Sequence, residues 1–120
     1  MTNEDLKVVE NTLELLETME EGINYVIKNF KPEEAMGMLM DIVNAFASIE
    51  EAVGNLLPKL PENEIVSKNT KLKDSLEVVI GDYESNNGQK AIDLIQNNLA
   101  PMFNEWKEEI ESHLRKYVAN

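Results

Sequence analysis

Between Lys31 and Lys59 the chain carries no Lys or Arg, and across that interval apolar residues recur at helical spacing without a break. Ala35, Leu39, Ile42, Phe46, Ile49, Val53 and Leu56 fall at alternating steps of four and three, which sets them in one seam of an α-helix over Pro32 to Leu57. Met36, Met40, Val43 and Ala47 form a second stripe beside the seam, and Met38, Ala45 and Ala52 line the other flank. Polar residues keep one narrow strip: Gly37, Asp41, Asn44, Ser48, Glu50, Glu51 and Asn55. A helix apolar around most of its circumference has to be covered on several sides. The stretch is therefore expected to be a central helix with neighbours, or a partner, wrapped round it.

Three further stretches repeat the helical period. The first is expected to start at Thr2 or Asn3, where Thr2 and Asp5 make a capping-type pair and Glu4 and Asp5 suit the positive end of the helix dipole. Its seam reads Leu6, Val9, Leu13, Leu16, Glu20, Ile23, Ile27 and Phe30, with Met19 expected to take over the packing where Glu20 interrupts it. Lys31-Pro32 ends this helix, since the residue before proline is pushed out of the α region, and Pro32 suits the first turn of the next. So short a connection predicts an antiparallel hairpin. Pro58-Lys59-Leu60-Pro61 closes the second helix. The third has the seam Ile65, Asn69, Leu72, Leu76, Val79 and Tyr83, with Asn63 as N-cap and a polar first half, Ser67 to Lys73, expected to fray or lie on an acidic neighbour. Ser85-Asn86-Asn87-Gly88 marks a turn, because Asn and Gly tolerate positive φ.

The fourth stretch, from about Gln89 to Val118, buries Ile92, Ile95, Leu99, Met102, Phe103, Trp106, Ile110, Leu114 and Tyr117. Pro101 inside it removes a backbone hydrogen bond and clashes with the preceding turn, at about 3 kcal/mol in a straight helix. A kink or split near Leu99 is expected, and the apolar frame drifts past that point. Four seams and short loops predict an all-α fold: one domain over 1–120, an antiparallel up-down four-helix bundle.

Lys and Arg number 11 against 23 Asp and Glu, a net charge of −12. That balance repels phosphate backbones and anionic lipid surfaces, so neither a nucleic acid nor a membrane is the expected partner. No uncharged apolar run approaches the roughly 18 residues of a membrane span. Cysteine is absent, which removes disulfides, thiol nucleophiles and thiolate metal sites. With no secretory signal pattern at the start, the expected compartment is the cytoplasm.

Carboxylates are the only chemistry-bearing groups in quantity. A bundle di-iron site needs Glu-x-x-His on two helices, and the single histidine, His113, follows Ile110 by three. An all-α nucleotide pyrophosphatase gathers Mg²⁺ with Glu-x-x-Glu on one helix and Glu-x-x-Asp on the next. Glu14, Glu17, Glu20 and Glu21 offer the first half, but the chain contains no Glu-x-x-Asp. Isolated glycines make no phosphate loop, and no nucleophile elbow is present. The sequence thus predicts no catalytic residue, metal or cofactor. The methionines point elsewhere, since methionine both fills irregular cores and lines adaptable peptide-binding surfaces. Met36, Met40, Val43 and Ala47 are the candidate partner-binding residues, to receive an amphipathic helix from a partner protein or a second copy of the chain. The alternatives are a Mg²⁺-dependent enzyme centred on Glu17, Glu20 and Glu21, or a purely structural homodimer.

The order of features resembles the flagellin export chaperones. Gly22-Ile23-Asn24-Tyr25-Val26 lies in an apolar first helix, a short Lys-containing turn follows, and the Glu-Glu-Ala start and Asp41-Ile42-Val43 belong to the second helix. Phe103-Asn104-Glu105-Trp106-Lys107-Glu108-Glu109-Ile110 is similar to the Trp-Lys ending of that family's last helix. The resemblance implies a small acidic cytoplasmic bundle that holds a client's helical end in surface grooves. That family's N-terminal Tyr and Ser-Pro start are absent and Pro101 is additional, so no client-contacting residue carries over. The layout is also similar to small bacterial helical proteins with no assigned role, which leaves the client open.

Overall fold

The computed structural model describes residues 1–118; the last two residues of the expected 1–120 domain lie outside the described part. Four antiparallel helical rods form an up-down bundle measuring 46 × 23 × 18 Å. The first, α1, spans Asn3–Lys28. Its start is a reciprocal capping box, in which Thr2 Oγ1 accepts from the Asp5 N–H at 3.1 Å and Asp5 Oδ2 accepts from the Thr2 N–H at 2.9 Å. Two of the helix's otherwise orphaned donors are satisfied this way. Val9, Leu13, Leu16, Met19, Ile23 and Val26 are its buried apolar residues. Met19 does replace Glu20 in the core, while Leu6, Ile27 and Phe30 of the expected seam are only half-buried.

Helix α2, Pro32–Leu56, follows a tight connection in which Lys31 is extended at φ −130° and ψ 113°. The conformation is the one a residue before proline prefers. All seven seam residues, Ala35 through Leu56 at their steps of four and three, are buried. A 3₁₀ turn over Leu57–Lys59 then ends the rod.

Helix α3 spans Ile65–Asn86, including its polar first half. Asn63 sits one position before the cap, yet its Oδ1 accepts from the Ile65 N–H at 2.9 Å, and Glu109 from the last helix accepts from the Glu64 N–H at 2.8 Å. The expected seam needs correction at Asn69, which is half-buried and outside the core, and at Tyr83, which packs on the core's edge. Ser75 and Asp82 are buried instead. The Asp82 carboxylate accepts from the Lys90 N–H at 2.9 Å and from Asn86 Nδ2 at 3.2 Å, tying the end of α3 to the start of the next rod. Between them Asn87 takes a left-handed φ of 54° and Gly88 a φ of 77°, as a helix C-terminus of this kind requires.

The last rod, α4, comprises Ala91–Leu94, a π-helical turn at Ile95–Leu99 and Ala100–Leu114. Its buried residues are Ala91, Ile95, Leu99, Phe103, Trp106, Ile110 and Leu114; Ile92 and Met102, expected inside, are half-buried. The first three steps of that set are all fours, and each four overshoots a straight helix's turn by about 40°. A π turn takes more residues per turn and absorbs the overshoot. The Ala100 N–H reaches back five residues to the Ile95 carbonyl. A π turn therefore stands immediately before Pro101, in the region where a kink or split was expected. Ser75 on α3 donates to Asn98 Oδ1 within the turn. One apolar cluster joins all four rods, with Trp106 and Phe103 its largest members. Helices α1 and α2 pack closely along their length, as do α3 and α4, whereas α2 and α3 touch sparingly.

Candidate functional site

Sparse contact between α2 and α3 leaves a cleft on one flank of α2, which packs closely on α1 alone and is not the covered central helix expected from its apolar stripes. Its first section, a cavity of about 330 Å³, is lined by Val43, Phe46, Ala47 and Glu50 of α2 and by Lys73, Leu76, Glu77 and Ile80 of α3. Past Glu50 a second section of about 180 Å³ runs on between Val53, Gly54, Leu57, Ile65, Val66 and Asn69, with Trp106 from α4 in its lining. Asn69 Nδ2 donates to Glu50 Oε2 at 2.6 Å and bridges the two sections. Trp106 is 1% exposed, with its ring 5.2 Å from that of Phe46, and its indole N–H meets no acceptor among the described residues. Buried indole N–H groups ordinarily find one.

Of the four partner-binding residues expected from sequence, Val43 and Ala47 line this cleft. Met40 lies on the same stripe, nearer the start of α2, and is 42% exposed. Met36 is half-buried against the core. Neither methionine lines either section of the cleft.

The opposite flank carries a groove that sequence reasoning did not assemble. Met38, Asp41, Ile42 and Ala45 of α2 face Thr18, Met19, Gly22 and Tyr25 of α1 across a cavity of about 360 Å³. The stripe Met38 and Ala45 is visible in the sequence, whereas the contribution of α1 depends on how the hairpin is rolled. Gly22 is the one local signal: a glycine inside a helix leaves a gap in the surface that any other residue would fill. Tyr25 stands 47% exposed at one end of the groove.

The carboxylates do not converge. Glu14, Glu17 and Glu21 are exposed, and Glu20 is half-buried with its Oε2 3.6 Å from Lys107 Nζ. Burial alone would lower the Lys107 pKa, but the hydrogen bond from its ammonium to Glu111 and the charges of Glu111 and Glu20 outweigh it and raise it. His113 Nε2 lies 3.4 Å from Glu109 Oε2, one turn away on its own helix. Among the described residues no three acidic or histidine side chains are grouped closely enough to hold a metal ion. Nor is any described helix long and apolar enough to cross a membrane.

Fold and surface define a small acidic four-helix bundle whose second helix, α2, is grooved along both flanks. The chain belongs to the family described as Domain of unknown function (DUF8042), which it matches over residues 7–109. Every residue lining the cleft and the groove falls inside that match. No curated protein and no solved structure matches the chain.

Proposed function

We propose that this is a non-enzymatic interaction protein, chaperone-like in manner, that holds an amphipathic helix of a partner protein along the α2 flank marked by Met36, Met40, Val43 and Ala47. The observation that carries the reading is the cleft onto which Val43 and Ala47 open, floored by the core residues Phe46 and Leu76. An incoming helix with anchors at i, i+3 or i+4 and i+7 fits such an opening, and exposed Met40 can adapt its side chain to the occupant. The resemblance in the order of features to the flagellin export chaperones belongs to the same reading.

The test is affinity capture, comparing the native protein with Met40→Glu plus Val43→Glu after circular dichroism has established that both are folded. A partner retained only by the native protein, through a segment that becomes helical on binding, is the expected result. Equal retention by both folded forms would move the site elsewhere. An unfolded variant would make the stripe part of the core and sink the reading.

A further inference from the structure

We infer that the groove between α1 and α2 is a second docking site, for a basic amphipathic helix of a partner protein, separate from the Met40–Ala47 flank. Its floor is Met19, Gly22, Met38, Ile42 and Ala45, with Tyr25 at one end, so the surface offered is almost wholly apolar. Glycine is the least favourable residue but proline inside a helix, and nothing in the fold asks for one at position 22. A Cβ there would meet only Ile42 Cγ1, at an ordinary 3.8 Å. What the glycine supplies is the depth of the groove. Half-exposed Tyr25 is the kind of large, stiff side chain that anchors interfaces.

Charge selects the occupant. No Lys or Arg lies between Lys7 and Lys28 on α1 or between Lys31 and Lys59 on α2. At 100° per residue Glu14 and Glu21 fall on the α1 face that carries Thr18 and Tyr25, where Lys7 and Lys28 stand only at the two ends, and Glu34 falls beside Asp41 on α2. All four carboxylates are exposed, and none is in an ion pair among the described residues. A second copy of the chain, at a net charge of −12, would bring acid against acid. A helix with an apolar face between basic flanks would meet Met19, Met38 and Ile42 with one side and the rim carboxylates with the other.

The experiment uses a fluorescein-labelled synthetic peptide with leucines at helical spacing on one face and lysines on the other, beside a peptide with the same leucines and glutamates in place of lysines. Binding to the full chain is read by anisotropy at low and moderate salt. The lysine peptide should bind the native protein, at least tenfold more tightly than the glutamate peptide. Gly22→Leu alters no charge and fills the groove, so it should weaken the lysine peptide at least tenfold. Tyr25→Ala, at an exposed position that spares the fold, should weaken it severalfold. The charge-neutral pair Met40→Gln plus Val43→Thr should leave binding unchanged, and emission from Trp106, which lines the other cleft, should not move. Native-like binding by both Gly22→Leu and Tyr25→Ala would reduce the effect to adsorption of a cation on an anionic protein and overturn the inference. Loss of binding only in the Met40/Val43 pair, with a shift in Trp106 emission, would also overturn it while supporting the flank proposed above. Failure of the lysine peptide to bind any form would overturn this site alone, since the other flank is judged by its own capture experiment.

Discussion

The side-chain amide of Asn69 on α3 donates to the Glu50 carboxylate on α2 at 2.6 Å, and this pair bridges the middle of the cleft between the two helices. Because contact between these helices is otherwise sparse, one polar bond carries an unusual share of their alignment. Asn69→Ala should lower stability by about 1.5 kcal/mol, the low end for a hydrogen bond to a charged group, since Glu50 keeps access to water. Urea unfolding should show a lower midpoint with an unchanged slope. An unchanged midpoint would mean that water replaces the amide without loss.

Lys59, in the 3₁₀ turn after α2, reaches back to Asp5 in the first turn of α1. That hydrogen bond, followed by the one from the Thr2 N–H, holds the Asp5 carboxyl at about 2, below its ordinary 3.8. A carboxyl depressed by folding adds stability that is fully present above its unfolded value and disappears as pH falls through its folded value. The contribution should therefore hold above about pH 4 and fade towards about pH 2. Carbon-detected NMR titration should place the Asp5 midpoint at about 2, and Lys59→Ala should move it up towards 3.8. A midpoint that ignores Lys59→Ala would contradict the assignment.

Gly88 follows α3 at φ 77°, and a Cβ built there would lie 2.5 Å from Tyr83 Cε1. Two penalties coincide, a left-handed backbone and a ring edge that has to move. Gly88→Ala should destabilise the protein by about 1–3 kcal/mol. Gly88→Ala combined with Tyr83→Leu should recover the steric part but not the backbone part, and thermal unfolding of the single and double variants separates the two.

The π turn at Ile95–Leu99 predicts the effect of a deletion. Removing exposed Gln96 would turn the buried steps of α4 from three consecutive fours into alternating fours and threes, the spacing of a regular helix. The shortened chain should fold, and its amides after position 95 should show i to i−4 hydrogen bonding in place of the i to i−5 bond at Ala100. Loss of the fold would mean that the Ser75 to Asn98 contact, not the apolar register, sets this turn.

The sequence made the seam of α2 legible residue by residue, because its apolar period runs uninterrupted from Ala35 to Leu56, about six turns, and burial follows period. Where a helix meets its neighbours loosely the same logic misleads: Asn69 holds a seam position by spacing, yet that part of α3 faces an open cleft. Buried Asp82 falls three residues after Val79, on the buried face by spacing, yet a carboxylate there does not read as core, since its partner is a backbone N–H eight residues on. A kink or split was expected at Pro101, whereas the run of fours that the π turn absorbs emerges only once Ala91, not Ile92, is seen to be buried. For the surface, the stripes of α2 could be read and the walls opposite them could not. Whether Gly22 and Tyr25 face Met38 and Ala45 depends on the roll of one helix against another, which a single helix's period does not encode.

The hairpin without bases is also a surface without amines. Its lysines stand only at the ends, Lys7, Lys28, Lys31 and Lys59, so amine-directed chemistry finds no target along the body of α1 or α2. Lysine acetylation or an amine-reactive cross-linker therefore marks α3, α4, the loops and the ends of the hairpin and passes over the groove between α1 and α2. A carboxyl-activating reagent does the reverse, and joins the rim of that groove to the lysines of whatever lies in it.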